Sequence, residues 1–233
     1  MYYIIIFIMF LLLVICVRRN TILFKMVNNY SSIITEQGMK NHEYMNQLMI
    51  VSGYLDCNDY NKTRKYLNTI IEDHRIGKYY EIRELSKFKD GGLKKLLYYK
   101  INKMMNNDIE YYLSVSKSFI DCFNSIDINT YSDITKIIGV LLDNAIDSSK
   151  ISHEKTIDMT FSKKENALII SISNDFIERV NLRKIDKEGY TSKGIGHGFG
   201  LQIVKRIINN NEKLFLSTSI DKDTFIQTIT IIL

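Results

Sequence analysis

The chain has 233 residues, 45% of them hydrophobic, a formal charge of +5 and no proline. That length and apolar content exclude a disordered chain and leave room for one or two small domains with a real core. Lysines interleave with acids and form no long basic run, which argues against nucleic-acid binding.

Three scattered cysteines, Cys16, Cys57 and Cys122, fit neither a disulfide framework nor a zinc site. They point to a reducing compartment. Residues 1–17 (MYYIIIFIMFLLLVICV) carry no charge, and Arg18 and Arg19 come next. The run lies at the lower edge of the roughly 17–25 residues that span a bilayer. It lacks the leading basic residues and the trailing cleavage site of a signal peptide. Arginines placed after the span put the remainder of the protein on the cytoplasmic side. The expectation is a single-pass helix over 1–19 in the cell membrane, with the rest of the chain cytoplasmic.

From Leu23 a heptad rhythm runs through Val27, Tyr30, Ile34, Gln37, Asn41, Tyr44, Leu48, Val51 and Leu55. Steps of four and three make a coiled-coil seam, polar only at Gln37 and Asn41. DCNDYN (56–61) is a turn signal, and Tyr60, Thr63, Leu67, Ile70 and His74 pattern a second helix. A helical hairpin over 20–78 is therefore expected. It is too thin to hide both apolar faces alone, so a second copy should complete a four-helix bundle.

Residues 79–92 read as a linker that ends in Gly91 and Gly92. Over 93–233 the spacing predicts a helix in LKKLLYYKINKMM and a strand in IEYYLSVS. NTYSDITKIIGVLLDNAIDSSK reads as a helix capped by Asn129 or Thr130. TIDMTFS and ALIISISN form a hairpin around KKEN. A loop-rich stretch from Asp175 to Lys193 leads to a glycine run, a helix to about Ile208, and two last strands, KLFLSTSI and TFIQTITII. The fold class is α+β, with helices on one face of a mostly antiparallel sheet.

Four of the 11 glycines, Gly194, Gly196, Gly198 and Gly200, fall within TSKGIGHGFGLQIVKRI, immediately before an apolar helical run. The run lacks the Gly-Lys-Ser/Thr ending of a Walker loop, and no strand leads directly into it as in a dinucleotide fingerprint. What remains is bare backbone at a helix N-terminus, a place that attracts phosphate. Upstream, GVLLDNAIDSS sets Asp143, Asn144 and Asp147 into an apolar helix. An Asn carbonyl on a rigid helix can give Mg2+ one oxygen while water and phosphate give the rest.

LLDNAID followed by TSKGIGHGFGLQIVK resembles the ATP-binding domain of GHKL-type sensor histidine kinases, and more narrowly the AgrC-type quorum-sensing kinases. The resemblance covers about 21–233. It implies a GHKL (Bergerat-type) α/β sandwich that binds ATP and Mg2+. Asn144 would be the magnesium ligand, Gly196, Gly198 and Gly200 would line the triphosphate, and Lys193 beside them could meet phosphate. Most members carry an Asp-x-Gly-x-Gly motif after the central hairpin, whose Asp reads the adenine amino group. Here Asn174 stands in that place and no glycines follow. Val140 replaces a polar residue common four before the magnesium-binding Asn.

Of the four histidines, His42 sits beside the polar seam position Asn41, so its ring should reach solvent. NHEYMNQL resembles the family's phosphoacceptor box, with Glu43 and Asn46 matching and Asn41 in place of the usual Arg. Gln47 stands where commoner sensor kinases have Pro, as in the AgrC-type subgroup. Imidazole is a competent nucleophile near neutral pH. Glu43 could orient the ring and take its proton, and Asn46 lies one turn along the same face.

The resemblance implies a homodimeric kinase that phosphorylates His42 and passes the phosphoryl group to a response regulator. AgrC-type receptors have several membrane spans and this chain has at most one. It is then either a truncated receptor or a kinase that takes its input from another membrane sensor protein. Two other readings stay open from sequence: a non-catalytic membrane-anchored dimerisation module, and a histidine phosphotransferase that does not use ATP.

Overall fold

The computed structural model describes residues 2–72, 83–88, 91–176 and 200–233, with backbone only at 2–12, 14, 16, 29, 30, 33, 71 and 72. The chain divides into two compact units, Met1–Arg75 and Ile76–Leu233.

The first unit is a helical hairpin. Helix α1 spans Tyr2–Asp56 and α2 spans Tyr60–Glu72. An unbroken 55-residue helix needs a sequence without proline, and this one has none. The expected turn falls at 57–59. Asn58 takes a left-handed φ of 53°, and the Asp59 carboxylate caps α2 by accepting from the Lys62 amide at 3.0 Å. Tyr54 and Tyr66 meet edge to face, 6.1 Å between centroids, and Thr63 is buried. The seam residues Leu23, Val27, Ile34, Tyr44, Leu48 and Leu55 stay exposed along one chain. Among the described residues no helix is long and apolar enough to cross a membrane. The expected span rests on residues 1–17, most of whose side chains lie outside the described ones. His74 also lies outside them.

The second unit holds the core. It contains α3 (Gly91–Met105), β1 (Glu110–Val115), α4 (Lys117–Phe123), α5 (Ile128–Ser149), β2 (Thr156–Lys164), β3 (Ala167–Asp175), α6 (Gly200–Asn209), β4 (Leu214–Asp221) and β5 (Thr224–Ile232). The strands form one sheet in the order β1-β2-β3-β5-β4, parallel at β1–β2 and antiparallel elsewhere. Strict alternation sends Ile157, Met159, Phe161, Leu168, Ile170, Ile172, Ile229 and Ile231 inward. The helices cover that face. Ile134, Ile137, Ile138, Leu141, Leu142 and Ile146 of α5 are completely buried at its centre. At about 1.5–3 kcal/mol for each buried aliphatic side chain, this stripe holds α5 firmly in place.

Three local expectations change. The N-cap of α5 is Asp127, whose carboxylate accepts from the Thr130 amide at 2.9 Å; neither Asn129 nor Thr130 caps it. A short helix not foreseen, α4, begins after Ser116, whose hydroxyl accepts from the Phe119 amide. Its Phe119 and Phe123 rings stack 5.1 Å apart inside the core. Residues 83–88, read as linker, pack on the domain instead. Leu85 and Phe88 are buried, Glu84 accepts from the Val115 amide, and Lys87 donates to the Val115 carbonyl. Apolar residues at 85 and 88 cover the end of β1 and gain more from burial than a free linker would.

Candidate nucleotide site

The site is organised by α5. Its inner stripe is locked into the core, so Asn144, one residue off that stripe, is half-buried and held at fixed height on a rigid helix. Helix α6 begins at Gly200 and packs against the same part of α5. A methyl group added at Gly200 would lie 2.9 Å from Val140 Cγ1 and 3.9 Å from Asn144 Oδ1. Glycine is thus required by close approach, and Val140, read from sequence as a lost polar group, is the wall that α6 leans on. The first turn of α6, which starts at Gly200 beside the Asn144 oxygen, has amide groups with no intrahelical acceptor. This set of donors and one neutral oxygen fits a magnesium–triphosphate group. Among the described residues no cluster of three His, Cys, Asp or Glu side chains could hold a metal without phosphate and water.

Asp143 has a different job. Its oxygens lie 2.6 Å from Lys100 Nζ and 2.9 Å from Lys103 Nζ on α3. Burial alone would raise the Asp143 carboxyl. The two ammonium groups outweigh burial and hold it below the usual carboxylate range. The Lys100 side chain is only 7% exposed, so removing its partner would strand a buried charge. Asp143→Ala is expected to cost about 2 kcal/mol in urea denaturation, since Asp143 itself is partly solvated. The sign with pH is fixed. A carboxyl depressed in the folded state contributes fully above its unfolded value, about 3.9, and loses that contribution as pH falls further. The gap between parent and Asp143→Ala should therefore close below about pH 4.

At the end of β3, Asn174 continues the inward face of Leu168, Ile170 and Ile172, opposite Ile157 on β2 and Phe225 on β5. It is buried, and so is Asp175 beside it. The Asp175 carboxylate accepts from the amides of Glu154, Lys155 and Thr156 at 3.1, 3.0 and 2.9 Å, with the Ser149 hydroxyl at 3.4 Å. Sequence reasoning passed over Asp175. Its signal was an acid closing the strand directly after Asn174, but the partners lie about 20 residues upstream.

Lys193, Gly196, Gly198 and His197 lie outside the described residues. Of the predicted cradle, Asn144 and Gly200 come together. Asn174 stands on the sheet beneath α5 and makes no hydrogen bond to either among the described residues. A separate cavity of about 160 Å3 opens between α6 and the β4–β5 edge, lined by residues such as Leu201, Lys205 and Gln227, and includes neither Asn. In the other unit, His42, Glu43 and Asn46 are all exposed on α1, and no hydrogen bond joins His42 to Glu43. Neighbours in sequence sit about 100° apart on a helix, so Glu43 flanks the ring and Asn46 shares its face.

Residues 130–232 match the GHKL domain family, and residues 25–79 match the alpha-helical domain of SpoOB-type sensor kinases. A probable C4-dicarboxylate sensor kinase of Halalkalibacterium halodurans is 24% identical over 179 residues, covering 75% of this chain and 32% of that protein. One of Bacillus subtilis, likewise named a probable C4-dicarboxylate sensor kinase, is 25% identical over 177 residues, covering 73% and 32%. The chain thus spans about a third of the length of these curated relatives. Among solved structures, the catalytic domain of histidine kinase ThkA aligns at 18% identity with a TM-score of 0.47, over 66% of this chain and 93% of that one. Acinetobacter baumannii histidine kinase AdeS aligns at 16% and 0.41, over 82% and 97%. The match to a GHKL domain over residues 130–232, with the match to a SpoOB-type sensor-kinase helical domain over residues 25–79, supports an ATP-dependent histidine kinase.

Proposed function

We propose that the chain is a membrane-tethered, homodimeric histidine kinase that transfers the γ-phosphoryl group of Mg-ATP to His42 and then to an aspartate of a response regulator. The observation that carries this reading is the meeting of Asn144 with Gly200, an oxygen ligand beside a helix N-terminus that only glycine allows so close. Asn144 would hold Mg2+, which supplies charge neutralisation. The α6 amides, with Gly196, Gly198 and Lys193, would hold the phosphates, and Asn174 would meet adenine. One His42 ring nitrogen attacks the γ-phosphorus as its bond to the ADP oxygen breaks, and Glu43 takes the proton from the other nitrogen. Asn46, one turn on, steadies a water or the regulator's carboxylate. Such transfer is mostly positioning and charge neutralisation.

Several features support the finer parts. The exposed seam on α1 suits a second copy of the hairpin, and the match to a SpoOB-type helical domain favours the same pairing. The uncharged residues 1–17 followed by two arginines favour a membrane anchor with the kinase on the cytoplasmic side. Assignment to the AgrC-type, quorum-sensing subgroup rests on the proline-free box around His42 and on Asn174. Incubating residues 20–233 with γ-labelled Mg-ATP tests the reaction. The expected product carries label that is acid-labile and alkali-stable. A folded protein that takes up no label at saturating ATP would overturn the kinase reading in favour of a non-catalytic module.

A further inference from the structure

Asn174 can meet a base with either end of its carboxamide, oxygen or NH2, and the two ends select opposite bases. In this fold one end is already committed. Asn174 Nδ2 donates to the Asp175 carbonyl at 2.8 Å. Only the NH2 end can donate to a carbonyl, so Oδ1 is the free end, and no described residue donates to it. Rotating the carboxamide by half a turn would set Oδ1 against the Asp175 carbonyl, acceptor against acceptor.

The carbonyl that imposes this choice is itself held. Three consecutive amides, Glu154, Lys155 and Thr156, wrap the Asp175 carboxylate, with Lys155 in the left-handed region at φ 48°. Such a run of amides is an anion-binding concavity, and here the chain fills it with its own side chain. Burial alone would raise the Asp175 carboxyl, but the Ser152 hydroxyl and the three amides keep it below the usual carboxylate range. The clamp ties the end of β3 to the turn between α5 and β2, and so fixes the backbone at 175.

We propose that Asp175 is a positioning residue for base selection: its clamp on residues 154–156 holds the carbonyl that locks Asn174 with Oδ1 as its free acceptor. The proposal rests on the reading of this domain as a nucleotide binder. A free acceptor matches the exocyclic amino group of adenine and opposes the carbonyl oxygen that guanine or hypoxanthine carries at the same ring position. A site built around one hydrogen-bond polarity rejects the opposite polarity strongly.

The test compares binding of Mg-ATP and Mg-ITP by calorimetry in the full chain. ITP keeps the shape of ATP and reverses that edge from donor to acceptor. The parent should prefer ATP by about 100-fold. Asp175→Asn, which keeps size and one acceptor, should shrink the ATP:ITP ratio by about tenfold. In an Asn174→Asp background neither end of the side chain can donate, so adding Asp175→Asn should leave the ratio unchanged. A merely structural Asp175 would weaken both nucleotides together, and a constant ratio would overturn the proposal while leaving nucleotide binding intact. Equal affinity of the parent for both nucleotides would overturn it too. A parent that binds neither would overturn the underlying reading and this one with it. A measurement on the parent stands whether or not the variants fold. The Asn174 NH2 should show one slowly exchanging, hydrogen-bonded proton by NMR, and two rapidly exchanging protons would contradict the lock.

Discussion

A His42→Gln chain should take up no acid-labile phosphate from γ-labelled ATP, a loss of more than about a thousandfold, while its affinity for Mg-ATP should be unchanged. Without an imidazole at 42 the proposed bond to phosphorus has no attacking nitrogen. Lys40, close by, is engaged with Glu36 at 2.6 Å, which holds it as an ammonium without a lone pair to attack phosphorus. Glutamine keeps a polar, helix-compatible side chain at an exposed position, so the hairpin should fold as before. His153, exposed in the turn after α5, is the control: His153→Gln should label like the parent. Label that survives His42→Gln would move the phosphoacceptor elsewhere.

Asn144→Ala should weaken Mg-ATP binding by about 10- to 100-fold in calorimetry and abolish labelling with it. Alanine is the better helix former, and residue 144 lies off the buried stripe of α5, so stability should hold or rise slightly. A loss of binding with stability retained isolates the oxygen ligand. Asn144→Asp keeps the size and the oxygen but adds charge between Asp143 and Asp147, in the site proposed to accept a triphosphate. Like charges about 4 Å apart at an effective dielectric near 20 repel by about 4 kcal/mol, so this variant should also bind poorly. Unchanged affinity in Asn144→Ala would mean that the magnesium is held elsewhere.

Much of the fold could be read from local pattern. The stripe Ile134, Ile138, Leu141, Leu142, Ile146 announces α5, and the alternation Ile157, Met159, Phe161 announces β2, because periodicity records which face meets the core. The hairpin turn at 57–59 follows from its Asn and Asp residues. Pattern failed where the deciding contact is distant or the element short. Helix α4 has only seven residues, too few for a period. Asp127 sits between Ile126 and Ile128, apolar neighbours that hide a cap. Residues 83–88 look like linker until β1 is there to receive Leu85 and Phe88.

The site was partly legible for the same reason. Asn144 and Gly200 were found as types in the right order, yet their meeting across the intervening sequence depends on α6 packing on α5. The two residues flanking that meeting take their roles from distant contacts. Val140 looked like a loss and is the packing wall for Gly200. Asp143, noted in sequence only as a polar residue set into the helix, is bound to Lys100, 43 residues upstream. Asp175 carries no local signature of its clamp, since its amide partners come from a turn on the far side of β2.

Hydrogen exchange with and without saturating Mg-ATP tests most directly whether phosphate is gripped where α6 begins. The amides of residues 200–202 have no intrahelical acceptor, so bound phosphate oxygens should slow their exchange by more than about tenfold. Exchange along α1 away from His42 should not change. Saturating nucleotide that leaves residues 200–202 exchanging as in the free protein would contradict the account at its root.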